Sequence, residues 1–188
     1  MRHLMLGALL LWATPGRATV VEPLGLSEMA ARAEAVVRGH VVGSETVDVR
    51  GRYETRVRLL VDEVWKGSVK VGDTVTVFTL GGTVGPLAQK VAGEARFADG
   101  EHVVVMLERL DRRPVVLGMS LGKFRVETQG GEVSLVREPV GLEVAGPGPD
   151  APVRPAAEVV PARVPAETLR AALRGPLGAP GSVGPLGR

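Results

Sequence analysis

The sequence predicts an all-β domain, either a barrel or a sandwich. Runs rich in β-branched residues recur at roughly 10-residue spacing with no helical pattern between them, as in antiparallel β folds. Hydrophobic residues make up 45% of the 188-residue chain but aromatic residues only 3%, so aliphatic side chains must fill the core. Beyond Gly141 the composition shifts to proline, glycine and alanine, which is typical of a linker or a disordered tail.

Residues 1–18 have the pattern of a signal peptide. A basic start at Met1–His3 precedes an apolar run from Leu4 to Ala13, and Gly16-Arg17-Ala18 forms a small-x-small cleavage site. The apolar run is shorter than the about 20 residues that a membrane-spanning helix needs. We therefore expect cleavage near Ala18, export to the periplasm or the medium, and no membrane span in the mature protein.

The charge and the cysteine content of the chain exclude several classes of function. The chain has 23 basic and 21 acidic residues, and removal of Arg2 and Arg17 with the leader leaves 21 of each, so the mature protein is formally neutral. Zero cysteines exclude disulfides, thiolate chemistry and attachment of a lipid through cysteine. The core alone must therefore hold the exported domain, which we expect to span residues 19–141.

The domain begins with a short helix and a long strand. Ser27 is a suitable N-cap, and Met29 and Ala33 lie one helical turn apart, which predicts an apolar stripe that docks on the sheet. The run from Ala35 to Val49 is rich in β-branched residues and predicts the first strand. Its internal glycines indicate a bulge or a sharp bend.

The stretch from Tyr53 to Gly85 predicts the organising hairpin of the domain. Its first strand alternates, with a core face at positions 53, 55, 57, 59 and 61 and a solvent face that includes Arg56, Arg58 and Asp62. The β-branched run from position 74 to 80 predicts the second strand. The glycine-rich residues 81–86 should then leave the sheet as a loop.

Four later segments complete the predicted sheet. Residues 87–92 form a short strand, and the continuously apolar run 102–107 indicates a central strand that is covered on both faces. Residues 115–118 pair back, and a final hairpin joins the segments 122–127 and 132–137 around two glycines. In the tail, residues 142–188, only the segment 165–174 has the proline start and glycine end of a short helix.

The sequence contains no complete catalytic motif. It lacks a G-x-S-x-G elbow, an HExxH motif and a serine–lysine signature, and its glycine loop lacks the phosphate-binding pattern. A zinc site would have to combine His40, His102 and a carboxylate such as Glu101. We predict no enzymatic activity, no cofactor and no metal, and keep a metal-dependent or other hydrolase that uses His40 and His102 as the alternative.

Two features favour protein binding. Arg52, Arg56 and Arg58 share the solvent face of one strand, and the tip of the glycine loop is exposed. The predicted contact surface therefore comprises Arg52, Arg56, Arg58, Gly82, Thr83 and Val84. Nucleic acid is not an expected partner, because the mature chain is neutral and the arginine cluster lacks stacking aromatic residues on its face.

Five motifs carry a resemblance to known proteins. They are AEAVVRGHV at 33–41, VDEVWKG at 61–67, GG at 81–82, FADGE at 97–101 and GKFRV at 122–126. In their order they resemble uncharacterised exported bacterial proteins and, more distantly, the netrin-like domain of tissue inhibitors of metalloproteinases. This resemblance implies an OB-like antiparallel barrel with exposed edges suited to protein binding. Those inhibitors chelate zinc through an N-terminal cysteine, which this chain lacks, so no inhibitory residue carries over.

The expected function is therefore that of an exported, non-enzymatic β-domain that binds a protein or a component of the cell envelope. The hydrolase that uses His40 and His102 is one alternative, and a secreted module resembling a protease inhibitor is the other.

Overall fold

The computed structural model describes residues 19–21, 24–139, 141–145 and 152–175. The predicted signal peptide and its cleavage site lie outside these ranges. Strands make up 53% of the structure, with three short helices. The α-helices are α1 (Leu26–Arg32), α2 (Ala156–Val159) and α3 (Ala166–Arg174), and a 3₁₀ helix covers Met119–Gly122. The strands are β1 (Thr19–Val21), β2 (Ala35–Val49), β3 (Arg52–Lys66), β4 (Thr74–Leu80), β5 (Gly82–Val84), β6 (Leu87–Gln89), β7 (His102–Leu110), β8 (Arg113–Val116), β9 (Lys123–Gln129), β10 (Glu132–Val136), β11 (Leu142–Val144), β12 (Arg154–Pro155) and β13 (Arg163–Pro165).

The main sheet partly closes into a ring. Its strand order is β13-β10-β9-β7-β2-β3-β4-β8, and β8 also pairs with β7, so β7, β2, β3, β4 and β8 follow one another around a circle. The predicted all-antiparallel pairing is wrong at two places, since β4 pairs with β8 and β1 pairs with β11 in parallel. The first parallel contact is a matter of topology: five strands in a ring cannot alternate direction throughout, so one pair must run parallel.

The β2–β3 ribbon has a tight turn at its end and the predicted irregularity along its length. Arg50 and Gly51 both have positive φ, at 57° and 81°, as a two-residue type I′ turn requires. The Gly51 backbone N–H donates a hydrogen bond of 2.6 Å to Asp48 Oδ1. The ribbon shifts register next to Gly39, where a Cβ atom would lie 2.2 Å from the Leu60 carbonyl oxygen. Glycine is therefore required at that position by the close approach of the two strands.

The two faces of the sheet pack into two separate cores. The ring strands share one core, which includes Val57, Leu59 and Val61 and so confirms the predicted inward face of β3. The second core lies between the other face of the sheet and the helices, and it includes Met29 and Phe124. Strand β7 serves both cores, because residues 103 and 105 pack into the first and residues 104 and 106 into the second. This confirms that β7 is covered on both faces.

The prediction of a disordered tail is wrong for the residues that the structure describes after Gly141. Strand β11 pairs with β1, β13 pairs with β10, and α3, which confirms the predicted helix to within one residue, packs against α1. Leu142, Val144, Val164 and Leu169 are buried. These apolar residues are widely spaced among prolines and glycines, so the average composition of the segment does not reveal them. Leu142, Val144 and Leu169 belong to the second core.

The glycine loop also differs from its prediction. Residues 82–84 form β5, which pairs with β6 in a small two-stranded hairpin instead of leaving the sheet as an irregular loop. Strand β6 confirms the predicted short strand after the glycines. Within the described ranges, no helix has the length and apolarity that crossing a membrane requires.

We expect Leu169→Ala to lower the free energy of unfolding by about 2–5 kcal/mol, because the side chain is fully buried and its removal leaves a cavity beneath α3. Denaturant unfolding measures this change. Leu110→Ala on β7 is the matched control, since Leu110 is 64% exposed and its truncation should change stability by less than about 0.5 kcal/mol. Equal effects of the two substitutions would show that α3 contributes nothing to the core.

Candidate functional site

Three adjacent strands bring His40, Asp62 and His102 together on one face of the sheet. His40 Nδ1 lies 3.2 Å from both carboxylate oxygens of Asp62. The two imidazole rings have centroids 5.4 Å apart and are tilted by 41°. One potential ligand atom from each of the three side chains lies within 4.8 Å of the other two. The structure thus assembles two imidazoles and one carboxylate within reach of a single ion.

Strand register explains how the two histidines meet. The antiparallel pairing of β2 with β7 places His40 directly opposite His102. Side chains opposite each other in an antiparallel pair project from the same face of the sheet. That face is the one of Val104 and Met106, which pack into the second core, whereas the ring core lies on the other side. The histidines therefore point away from the ring interior.

A bulge in β3 supplies the carboxylate. Arg38 of β2 pairs with Glu63 and the next residue, Gly39, pairs with Val61, so Asp62 is the extra residue that the register skips. A bulge bends its strand and redirects a side chain. Asp62 is thereby aimed at His40, and the glycine opposite it allows the strands to come close.

The sequence contained a signal for this carboxylate. The core residues Val61 and Val64 are separated by two consecutive acidic residues, which breaks the two-residue period and indicates a bulge. For the alternative of a zinc site, the sequence suggested Glu101 as an example of the carboxylate. In the structure Lys123 Nζ donates a hydrogen bond of 2.6 Å to Glu101 Oε1, and both side chains are largely buried in that pair.

The donor set is suited to a transition-metal ion. Imidazole nitrogen and carboxylate oxygen are the common ligands of zinc in proteins. Ligand atoms in a tetrahedral zinc site lie about 3.3 Å apart, because each is about 2.0 Å from the ion. His40 and Asp62 already have that separation, and the exposed His102 is free of core packing, so rotation of its ring can close the set. The His40 and Asp62 side chains are 32% and 36% exposed, which leaves one side of the cluster open to solvent.

A charged network centred on Glu63 adjoins this cluster. Glu63 accepts hydrogen bonds from Arg38 and Arg170, each at 2.6 Å, and from the Trp65 indole N–H at 2.9 Å. The Trp65 bond lowers the pKa of Glu63, the two arginines add to this effect, and partial desolvation opposes it. Arg170 also stacks 4.5 Å above the Trp65 ring. The network joins α3 to the sheet beside the bulge that aims Asp62.

The structure divides the predicted protein-contact residues between two places. Arg52, Arg56 and Arg58 are exposed on the outer face of β3. The hairpin that holds Gly82, Thr83 and Val84 folds against the opposite face, where a Cβ atom on Gly82 would lie 2.4 Å from the hydroxyls of Thr46 and Thr55. The six residues therefore do not form one continuous surface.

A cavity of about 370 Å³ lies beneath the β5–β6 hairpin. Its walls carry the hydroxyls of Thr46, Thr55, Thr79 and Thr83, and Glu94 borders it. Burial raises the pKa of the Glu94 carboxyl, although hydrogen bonds with the backbone of Leu80 and Ala95 oppose the shift. Ionisation of Glu94 therefore lowers the stability of the folded protein.

No family model matches the chain, and no curated protein and no solved structure is significantly similar to it. The resemblance to exported bacterial proteins and to netrin-like domains therefore stays a prediction.

We expect Glu94→Gln to raise the stability of the protein at pH 7. The folded-state pKa of Glu94 lies above its unfolded value of 4.5, so the penalty grows as pH rises above 4.5 and is complete above the folded pKa. The gain from glutamine should therefore be present at pH 7 and vanish below pH 4.5. Thermal unfolding across this range measures it. Glu132→Gln at an exposed position is the matched control. A gain in Glu94→Gln that is independent of pH would contradict the burial of Glu94.

Proposed function

We propose that this protein is an exported binding module that holds a divalent transition-metal ion through His40, Asp62 and His102 and contacts a protein or envelope component there. The observation that carries the proposal is the convergence of three ligand atoms from three adjacent strands within 4.8 Å. A cluster of this kind depends on the pairing of distant strands and on a bulge in one of them, so it is set by the sheet and not by local sequence alone.

The ligand chemistry indicates the class of ion. Two imidazoles and one carboxylate suit zinc, copper or nickel, whereas calcium and magnesium prefer oxygen ligands throughout. Three protein ligands leave at least one coordination position open on a four-coordinate ion. Since the cluster is open to solvent, a side chain of a second protein can complete the coordination and join the two surfaces through the metal.

The same open position supports the second candidate function, a metal-dependent hydrolase that uses His40 and His102. An ion with three protein ligands and one water is the usual arrangement of catalytic zinc, and the ion lowers the pKa of that water to about 7. Asp62 would serve as a ligand in either case. Hydrolysis of ester, peptide or phosphoester substrates by the metal-loaded protein would favour this candidate over the binding module.

The fold and the leader support the rest of the proposal. We infer that the five-stranded ring corresponds to the OB-like barrel that the resemblance implies, because OB folds are five-stranded, partly open barrels that bind ligands on a face and its loops. Export rests on the pattern of residues 1–18. A module of this type presents strands and loops to a partner without needing a catalytic cleft.

We expect the protein to bind Zn²⁺. When Co²⁺ replaces Zn²⁺, the complex should show the visible absorption of a low-symmetry site. His40→Ala, His102→Ala and Asp62→Asn should each weaken the metal affinity at least about tenfold, since each removes a ligand from a three-ligand set. Isothermal titration calorimetry measures the affinity. Glu101→Gln is the matched control, because Glu101 is a nearby carboxylate already paired with Lys123.

Two results would contradict the proposed metal site. One is a wild-type protein that binds none of Zn²⁺, Cu²⁺, Ni²⁺ and Co²⁺ at micromolar concentrations. The other is a set of ligand variants whose affinities equal that of Glu101→Gln.

We expect partner capture from an envelope extract to depend on the metal cluster. Chelation with EDTA and the His102→Ala substitution should both release the captured partner, whereas Arg56→Ala and Arg58→Ala should retain it. Quantitative mass spectrometry of the captured proteins compares the variants. If the arginine variants release the partner and EDTA does not, the outer face of β3 is the contact surface instead.

A further inference from the structure

Arg137, directly after β10, is a buried cation. It is 4% exposed, and its guanidinium stacks 4.4 Å above the ring of the buried Phe124. Its backbone N–H donates to the Ala162 carbonyl oxygen at 2.9 Å. Among the residues that the structure describes, no carboxylate forms an ion pair with Arg137, and its Nε atom has no hydrogen-bond partner.

Burial of the Arg137 guanidinium is unfavourable, and the contacts described above offset it only in part. Desolvation lowers the pKa of Arg137 to about 10, so the side chain still carries its charge at neutral pH. Burial of an unpaired charge is unfavourable, because the interior solvates the guanidinium less well than water does. The stack on Phe124 offsets part of this desolvation. An anion beside the guanidinium would offset more of it.

A cavity of about 530 Å³ opens beside this cation. Its walls are formed by the start of α1, by β11 and by the segment from α2 to α3. Apolar side chains dominate these walls, namely Leu24, Leu26, Val144, Val159, Val160 and Val164. The described residues that line it include no aspartate or glutamate, and the second cation, Arg163, already pairs with Glu127.

We propose that this cavity binds a small monocarboxylate with an apolar body, whose carboxylate pairs with Arg137. Arginine matches a carboxylate through two parallel hydrogen bonds, which are stronger than bonds between neutral groups. The apolar walls match the rest of the ligand, and the volume lies within the range of small-molecule sites. A phosphate ester suits the site less well, because it carries more charge than the one unpaired guanidinium can balance.

The proposal rests on a different observation from the metal cluster. None of His40, Asp62 and His102 lines this cavity, so either site can fail without the other.

Dodecanoate is the probe, and dodecanol is its matched control because it keeps the apolar chain and lacks the charge. Isothermal titration calorimetry on the purified protein should show saturable binding of dodecanoate, at least tenfold tighter than that of dodecanol. Dodecanoate should also raise the melting temperature. No binding of dodecanoate up to millimolar concentration, or equal binding of the two probes, would overturn the proposal.

Arg137→Met tests the cation, since methionine keeps an unbranched apolar side chain. It should weaken dodecanoate binding at least tenfold, leave dodecanol unaffected and leave the melting temperature equal or higher, because a buried charge is removed. Arg174→Met on α3 is the control, as Arg174 is 72% exposed and does not line the cavity. Unchanged dodecanoate affinity in Arg137→Met would contradict the assignment.

A second variant keeps the test decisive if Arg137→Met does not fold. Val160→Trp places a large ring at the partly exposed wall of the cavity and leaves the cation in place. It should abolish dodecanoate binding by occupying the apolar space. Retention of full affinity in this variant would show that dodecanoate binds elsewhere.

Discussion

The pairing of β2 with β3 is the interaction on which the rest of this structure depends. The two strands form a ribbon of 15 residues each, and β4 and β7 attach to its two edges. Its inward valines and Leu59 form much of the ring core. Its register shift beside Gly39 aims Asp62 at His40, so one irregularity in the ladder both bends the sheet and builds the candidate metal cluster.

Closure of the sheet has consequences for the remaining chain. The ring uses one face of β7 for its own core and leaves the other face apolar. Helix α1 covers only part of that face, and α2, α3 and β11 cover more of it. The hydrogen bond from Arg170 to Glu63 then joins α3 to β3. The C-terminal segment is thus a structural part of the domain.

The charged groups of the two candidate sites differ in their exposure to solvent. The metal cluster lies where solvent still reaches it, so its carboxylate and imidazoles carry little desolvation cost without an ion. Arg137 lies inside the second core, where an unpaired cation is expensive. The metal cluster therefore does not destabilise the fold in the absence of an ion. Arg137 does destabilise the fold unless an anion pairs with its guanidinium.

The local sequence pattern was sufficient to predict much of the fold. Alternation predicted the inward face of β3, the continuous apolar run predicted the doubly covered β7, and proline and glycine placed α3. It was not enough for the glycine hairpin, because backbone pairing of β5 with β6 leaves no periodic signal in three residues. For the alternative of a metal site the sequence suggested Glu101 beside His40 and His102, whereas the structure places Asp62 next to them, since strand partners cannot be inferred from spacing alone.

By itself, then, the sequence determined the long strands of the main sheet and the apolar faces of β3 and β7, because these depend on the period of the side chains. Only the tertiary structure decided which strands are neighbours, that Asp62 completes the histidine pair, and that Arg137 is buried beside an apolar cavity. Those features depend on register and on contacts between residues far apart in the chain, where a shift of one position exchanges the faces of a strand.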